Sequence, residues 1–135
     1  MPDLPVFDAH IHVQPWHMLR AEVRDRMWHG RSDRDEILEM ARDPGRRLRF
    51  LDREGIERAA LVNYVSPDVM GFTAETNDWI AGFVRGHEDR LVAVGSVHPR
   101  LTRDPERDVE RLAEAGIRVL KLHPPHQIVS PNAYV

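Results

Sequence analysis

Apolar residues gather into four short runs, at 6–13, 59–65, 91–97 and 119–122, each with the length and β-branched content of a strand. The stretches between them are charged and carry apolar residues at helical spacing. One such stretch opens near Thr73 or Thr76, sets Ile80, Phe83 and Val84 on one face, and stops around Gly86. Strand and helix therefore alternate along the chain. That pattern predicts βαβ units and a parallel sheet, an α/β fold.

A repeat sharpens the prediction. Asp43-Pro44-Gly45-Arg46 leads through Leu48 and Leu51 to Gly55-Ile56, and Asp104-Pro105-Glu106-Arg107 leads through Val109 and Leu112 to Gly116-Ile117. Each copy offers an Asp cap, a Pro at the first helical position, an apolar pair three residues apart and a Gly stop. A strand-like run follows each at once. Such units occur in barrels and in flavodoxin-like or Rossmann sheets alike. No G-x-G-x-x-G follows the first strand and no phosphate-binding G-x-x-x-x-G-K-[ST] occurs, which argues against the nucleotide-binding versions.

The connection at 16–42 is long for a βα loop. It contains Trp28-His29-Gly30 and a helix-like segment at 35–42. It reads either as a loop that shapes a substrate pocket or as an ordinary surface excursion.

Composition removes several classes of function. The 135 residues are 41% hydrophobic and 30% charged, within the range of one soluble domain covering 1–135. The net charge of −3 is small and mixed in sign; Arg46, Arg47 and Arg49 read as solvated helix faces, so no nucleic-acid footprint emerges. No run approaches the roughly 20 apolar residues of a membrane span. Met1-Pro2-Asp3-Leu4-Pro5 lacks the features of a secretory signal. The absence of cysteine excludes disulfides and thiolate metal sites, and a cytoplasmic location is the expectation.

The chemistry concentrates in two clusters. In Phe7-Asp8-Ala9-His10-Ile11-His12-Val13, strand alternation puts Asp8, His10 and His12 on one face and the apolar residues on the other. Two imidazoles two residues apart can converge on one divalent cation, or can be hydrogen-bonded core histidines; the apolar flanks and the second cluster favour the cation. That second cluster, Lys121-Leu122-His123-Pro124, sets Lys121 and His123 on a common face. An inward Lys on a central strand needs a partner: Asp8 or a substrate carboxylate. His123 is open to three roles, as ligand, substrate contact or general acid/base. His98, before Pro99, lines a pocket or packs a turn. His17, His29 and His126 fall in loops, and His87 lies near a helix C-terminus.

These segments resemble the amidohydrolase-related enzymes, which include the aminocarboxymuconate-semialdehyde and resorcylate decarboxylases. The resemblance is carried by Phe7-Asp8-Ala9-His10-Ile11-His12, by the stretch from Asn77-Asp78-Trp79-Ile80 to Ser96-Val97-His98-Pro99, and by Gly116-Ile117 through His123-Pro124. It implies a (β/α)8 TIM barrel, of which this sequence supplies about four βα units, since a closed barrel needs roughly 250 residues. It implies that His10 and His12 bind a catalytic metal, commonly zinc. His123 and Lys121 are the catalytic candidates, Lys121 alternatively as a carbamylated metal bridge. Two activities follow from the resemblance: hydrolysis of an amide, ester or lactone, or non-oxidative decarboxylation of a small carboxylated substrate. The family draws further ligands from strands five and eight, which have no counterpart in this sequence. A rival expectation is a non-catalytic half-barrel fragment that self-associates, or pairs with a complementary half, through its open barrel edges.

Overall fold

The computed structural model describes residues 4–132. Strands β1 (Phe7–His12), β2 (Arg58–Val62), β3 (Leu91–Gly95) and β4 (Val119–Leu120) form one parallel sheet in the order β1-β2-β3-β4. All four apolar runs hold strands. The last three give up their final two or three residues, which leave the ladder to build the loops at the C-terminal edge. The strand order never reverses, as it would in a doubly wound sheet.

The two faces of the sheet differ. Ala59, Leu61, Leu91 and Ala93 pack in one core with Leu51, Ile80, Phe83, Val84 and Leu112 from the helices. Alternate residues Ala60, Val62 and Val94 form a small separate cluster on the other face, with only Val92 added to it. The helical layer thus covers one side.

The repeat seen in the sequence is a structural repeat. In α3 (Pro44–Arg53) the Asp43 carboxylate accepts from Gly45 N–H at 2.8 Å; in α5 (Pro105–Glu114) Asp104 accepts from Arg107 N–H at 3.0 Å. Both helices end the same way. Gly55 and Gly116 take φ of +69° and +87°, and Ile56 and Ile117 donate back to Leu51 and Leu112 at 2.8 and 2.9 Å. Only a residue without Cβ reverses the chain there cheaply.

Helix α4 (Glu75–Val84) buries Ile80, Phe83 and Val84 as expected, and Thr76 and Asn77 as well. Its Asn77 approaches β3 closely because Gly95 leaves room: a Cβ there would lie 3.0 Å from Asn77 Oδ1. The segment 16–42 holds α2 (Arg34–Arg42), close to its predicted place, and also α1 (Ala21–Trp28), which the sequence reading passed over. The Val23 and Met27 side chains of α1 pack on a second cluster of Leu19, Tyr64, Met70 and Phe72, so tertiary burial makes this helix. The Trp16 and Trp28 rings stack at 3.9 Å and tie the C-terminal end of α1 to the chain just beyond β1.

Three further expectations are corrected. Strand β1 is bulged: Asp8 pairs with Ala59 and Ile11 with Leu61, so two residues, Ala9 and His10, stand opposite Ala60 alone. Asp8 therefore falls in register with the helix-covered face, and Phe7 sits with Arg58, whose guanidinium lies over its ring at 5.9 Å. The carboxylate accepts from His10 N–H at 2.9 Å instead of accompanying the imidazoles. Strand β4 is a two-residue edge strand rather than a central one. Arg47 is not on a solvated face but buried, because it lies on the inner side of α3.

Among the described residues no helix is long and apolar enough to cross a membrane. The caps give a direct test of the repeat. Asp104→Ala lowers stability in urea unfolding by about 1 kcal/mol, whereas Asp104→Asn retains most of it.

Candidate active site

The side chains that carry chemistry meet at the C-terminal edge of the sheet, where ligands of open parallel sheets bind. His12 is the last residue of β1, Tyr64 follows β2 by two residues, His98 lies beyond β3 and His123 beyond β4. The bulge in β1 brings His10 and His12 together, Nε2 to Nε2, at 3.1 Å. Their rings are 4.9 Å apart at their centroids. Such a distance suits one neutral imidazole donating to another. It also suits two ligands of one cation: nitrogens bound at about 2.0–2.1 Å in a tetrahedral site stand about 3.3 Å apart. The residues present fit one edge of such a site. Among the described residues no third His, Asp or Glu joins them to make a three-donor group.

Tyr64 connects this pair to the second cluster. It faces His12 edge-on at 6.4 Å between ring centroids and stacks on His123 at 4.9 Å. His123 stacks in turn on His126 at 4.1 Å, and the Tyr64 hydroxyl and His126 Nδ1 are hydrogen-bonded at 2.7 Å. His126 is therefore no loop residue. It belongs to the short helix α6 (Pro124–Gln127) and braces the site. His123 Nδ1 is buried with no hydrogen-bond partner.

One buried amide holds this edge together. Gln127 donates to the carbonyls of Val65 at 3.0 Å and Val97 at 2.9 Å, and its Oε1 accepts from His123 N–H at 3.0 Å. It ties α6 to the ends of β2 and β3 and so fixes His123. Ser66 adds a bond to the His126 carbonyl. Asn63 donates to Val13 C=O at 2.8 Å, and Asn77 bonds both the N–H and the C=O of Ser96, at 2.8 and 2.9 Å.

Lys121 is half-buried and donates its backbone N–H to Gly95 at 2.7 Å. Burial holds the His12 imidazole below its ordinary value, and the neighbouring charges of His10, Lys121 and His123 push it the same way. Both sequence-predicted clusters therefore act on one point. Burial likewise raises the Tyr64 phenol and lowers His126, which His123 lowers further. His17 and His29 are exposed and stand apart. Tyr64 and Gln127 escaped the sequence reading: one sits inside an apolar run and the other follows a Pro-Pro-His segment with no strong pattern. The available signal for Tyr64 was parity, since 60, 62 and 64 share the face opposite the helices.

Comparison with protein-family models, with curated proteins and with solved structures finds no match to this chain.

His98 is almost fully buried, and burial is the main cause that holds it below 6.5, with Asp68 acting against it. A depressed imidazole is neutral in the fold while the unfolded chain takes up the proton. Stability from this source is complete above 6.5 and drains away as pH falls through that value toward the folded pKa. Melting temperatures taken between about pH 8 and about pH 5 fall for the wild type, and fall less for His98→Asn.

Proposed function

We propose that this chain forms the first four βα units of a TIM barrel and carries part of the catalytic site of a metal-dependent enzyme of the amidohydrolase-related kind. The reaction class is hydrolysis of an amide, ester or lactone, or non-oxidative decarboxylation. The observation that carries this reading is the 3.1 Å approach of the His10 and His12 ring nitrogens at the C-terminal end of the first strand. Consecutive strand order and helices on one face support the barrel assignment, since both are features of barrels.

A divalent cation, commonly zinc in the enzymes this sequence resembles, would be held by His10 and His12 and would supply Lewis-acid polarisation of a substrate oxygen. The residues of the chain do the rest. His12, kept neutral by its surroundings, has a lone pair to give. Lys121 supplies positive charge beside His12. His123, packed against both Tyr64 and His126, moves the proton, its backbone fixed by Gln127.

Elemental analysis of the purified chain tests the site. The wild type retains divalent metal after desalting, and His10→Ala with His12→Ala loses it. Equal metal content in the two proteins removes the basis for the reading.

A second reading, association with a second copy or a complementary half, is favoured by one observation. Large exposed apolar side chains concentrate at the two edges of the sheet: Val6 and Phe7 at β1, and Val119, Leu120 and Leu122 at β4. Light scattering after size exclusion gives a mass above 15.6 kDa on this reading; a stable monomer at all concentrations counts against it.

A further inference from the structure

Arg47 is buried and forms no ion pair among the described residues. Only 6% of the residue is exposed, and among the described residues its guanidinium makes no hydrogen bond or ion pair. Its one favourable neighbour is the Phe50 ring, 5.8 Å away. The Arg47 Nε–H is buried and has no partner among the described residues, and an unanswered buried donor on a cation is costly. Arg47 lines a cavity of about 220 Å³ between the end of β1 and the helices α1 to α3. Four buried side-chain polar atoms lack partners among the described residues. Three of them, Arg47 Nε, Trp16 Nε1 and Gln14 Oε1, belong to residues in the wall of this one cavity. Two of the three, the Arg47 Nε–H and the Trp16 Nε1–H, are donors, and the third, Gln14 Oε1, is an acceptor. The remaining wall is mainly apolar, with Val13, Met27, Ile37 and Met40, and no carboxylate faces it. Arg31 also lines it, but its charge is already engaged by Asp33 at 2.7 Å. His12 closes the end nearest the histidine pair.

We propose that Arg47 and Trp16 form a binding pocket for the carboxylate of a small molecule with an apolar body, with Gln14 Oε1 left to accept from a donor on that molecule. A carboxylate answers the guanidinium fork and the indole N–H together, and the apolar wall takes the rest of the ligand. The inference deepens the proposed function, on which it rests for the chemistry: it assigns the anionic end of the substrate to a pocket beside His12. Binding itself needs no cation.

Calorimetric titration of chelator-treated protein with benzoate, and with neutral benzamide as control, tests it. Benzoate binds, benzamide is weaker by about tenfold or more, and Arg47→Met weakens benzoate by about tenfold to a hundredfold. Arg47→Lys, which keeps the charge and loses the fork, falls between. Arg47→Met also melts at or above the wild-type temperature, because an unneutralised buried charge is removed. Absent benzoate binding, equal affinity for benzamide, unchanged affinity in Arg47→Met, or a lower melting temperature for that variant each overturns the pocket. Metal content of Arg47→Met is measured separately, so a failed pocket and a failed histidine site are told apart.

Discussion

Parallel strands that all end at one edge leave backbone groups there without partners, and the rest of this structure depends on how they are answered. Water would serve if the edge were open. Here the loops pack over it, so the partners must be side chains. Three buried amides do this: Asn63 reaches back to Val13, Asn77 bonds both backbone groups of Ser96, and Gln127 spans Val65, Val97 and His123. Each one joins segments distant in sequence. Tyr64, His98 and His123 stand on the loops so fixed, and their mutual geometry follows from the amides rather than from the strands alone.

The side chains around His12 carry one sign. His10, His12, Lys121, His123 and His126 are either neutral or positive, and His12 is lowered by three of these neighbours after burial. Asp8, the acid nearest in sequence, accepts from the backbone of the bulge. Burial and neighbouring positive charge hold the His12 and His126 imidazoles below their ordinary value, and the same charge attracts anions from solution. Both properties are what the cation site and anionic substrate proposed above would need.

Periodicity carried much of the architecture. The two Asp-Pro helices with their Gly stops were legible because capping, proline and glycine all act within a few residues of chain. The alternation of apolar runs gave the sheet. What stayed hidden depends on contacts between distant segments. Helix α1 is weakly amphipathic and forms because Val23 and Met27 find Phe72 and Tyr64. The bulge in β1 breaks the strict alternation that would have grouped Asp8 with the histidines, and no residue in Phe7-Asp8-Ala9-His10 announces it. Arg47 looked like one more surface arginine between Arg46 and Arg49; a helical wheel without a known inner face cannot separate the three. His10, His12, Lys121 and His123 were identifiable as residue types, while Tyr64 and Gln127, which connect and hold them, were not.

The consecutive order of the strands bears on how the chain assembles. Each strand pairs with the one made just before it, so no early strand waits for a late one to be inserted beside it. Loop closures stay local, and the sheet can lengthen one unit at a time as the polypeptide leaves the ribosome. At every stage the newest strand is the exposed margin, and the next segment to emerge meets it already formed.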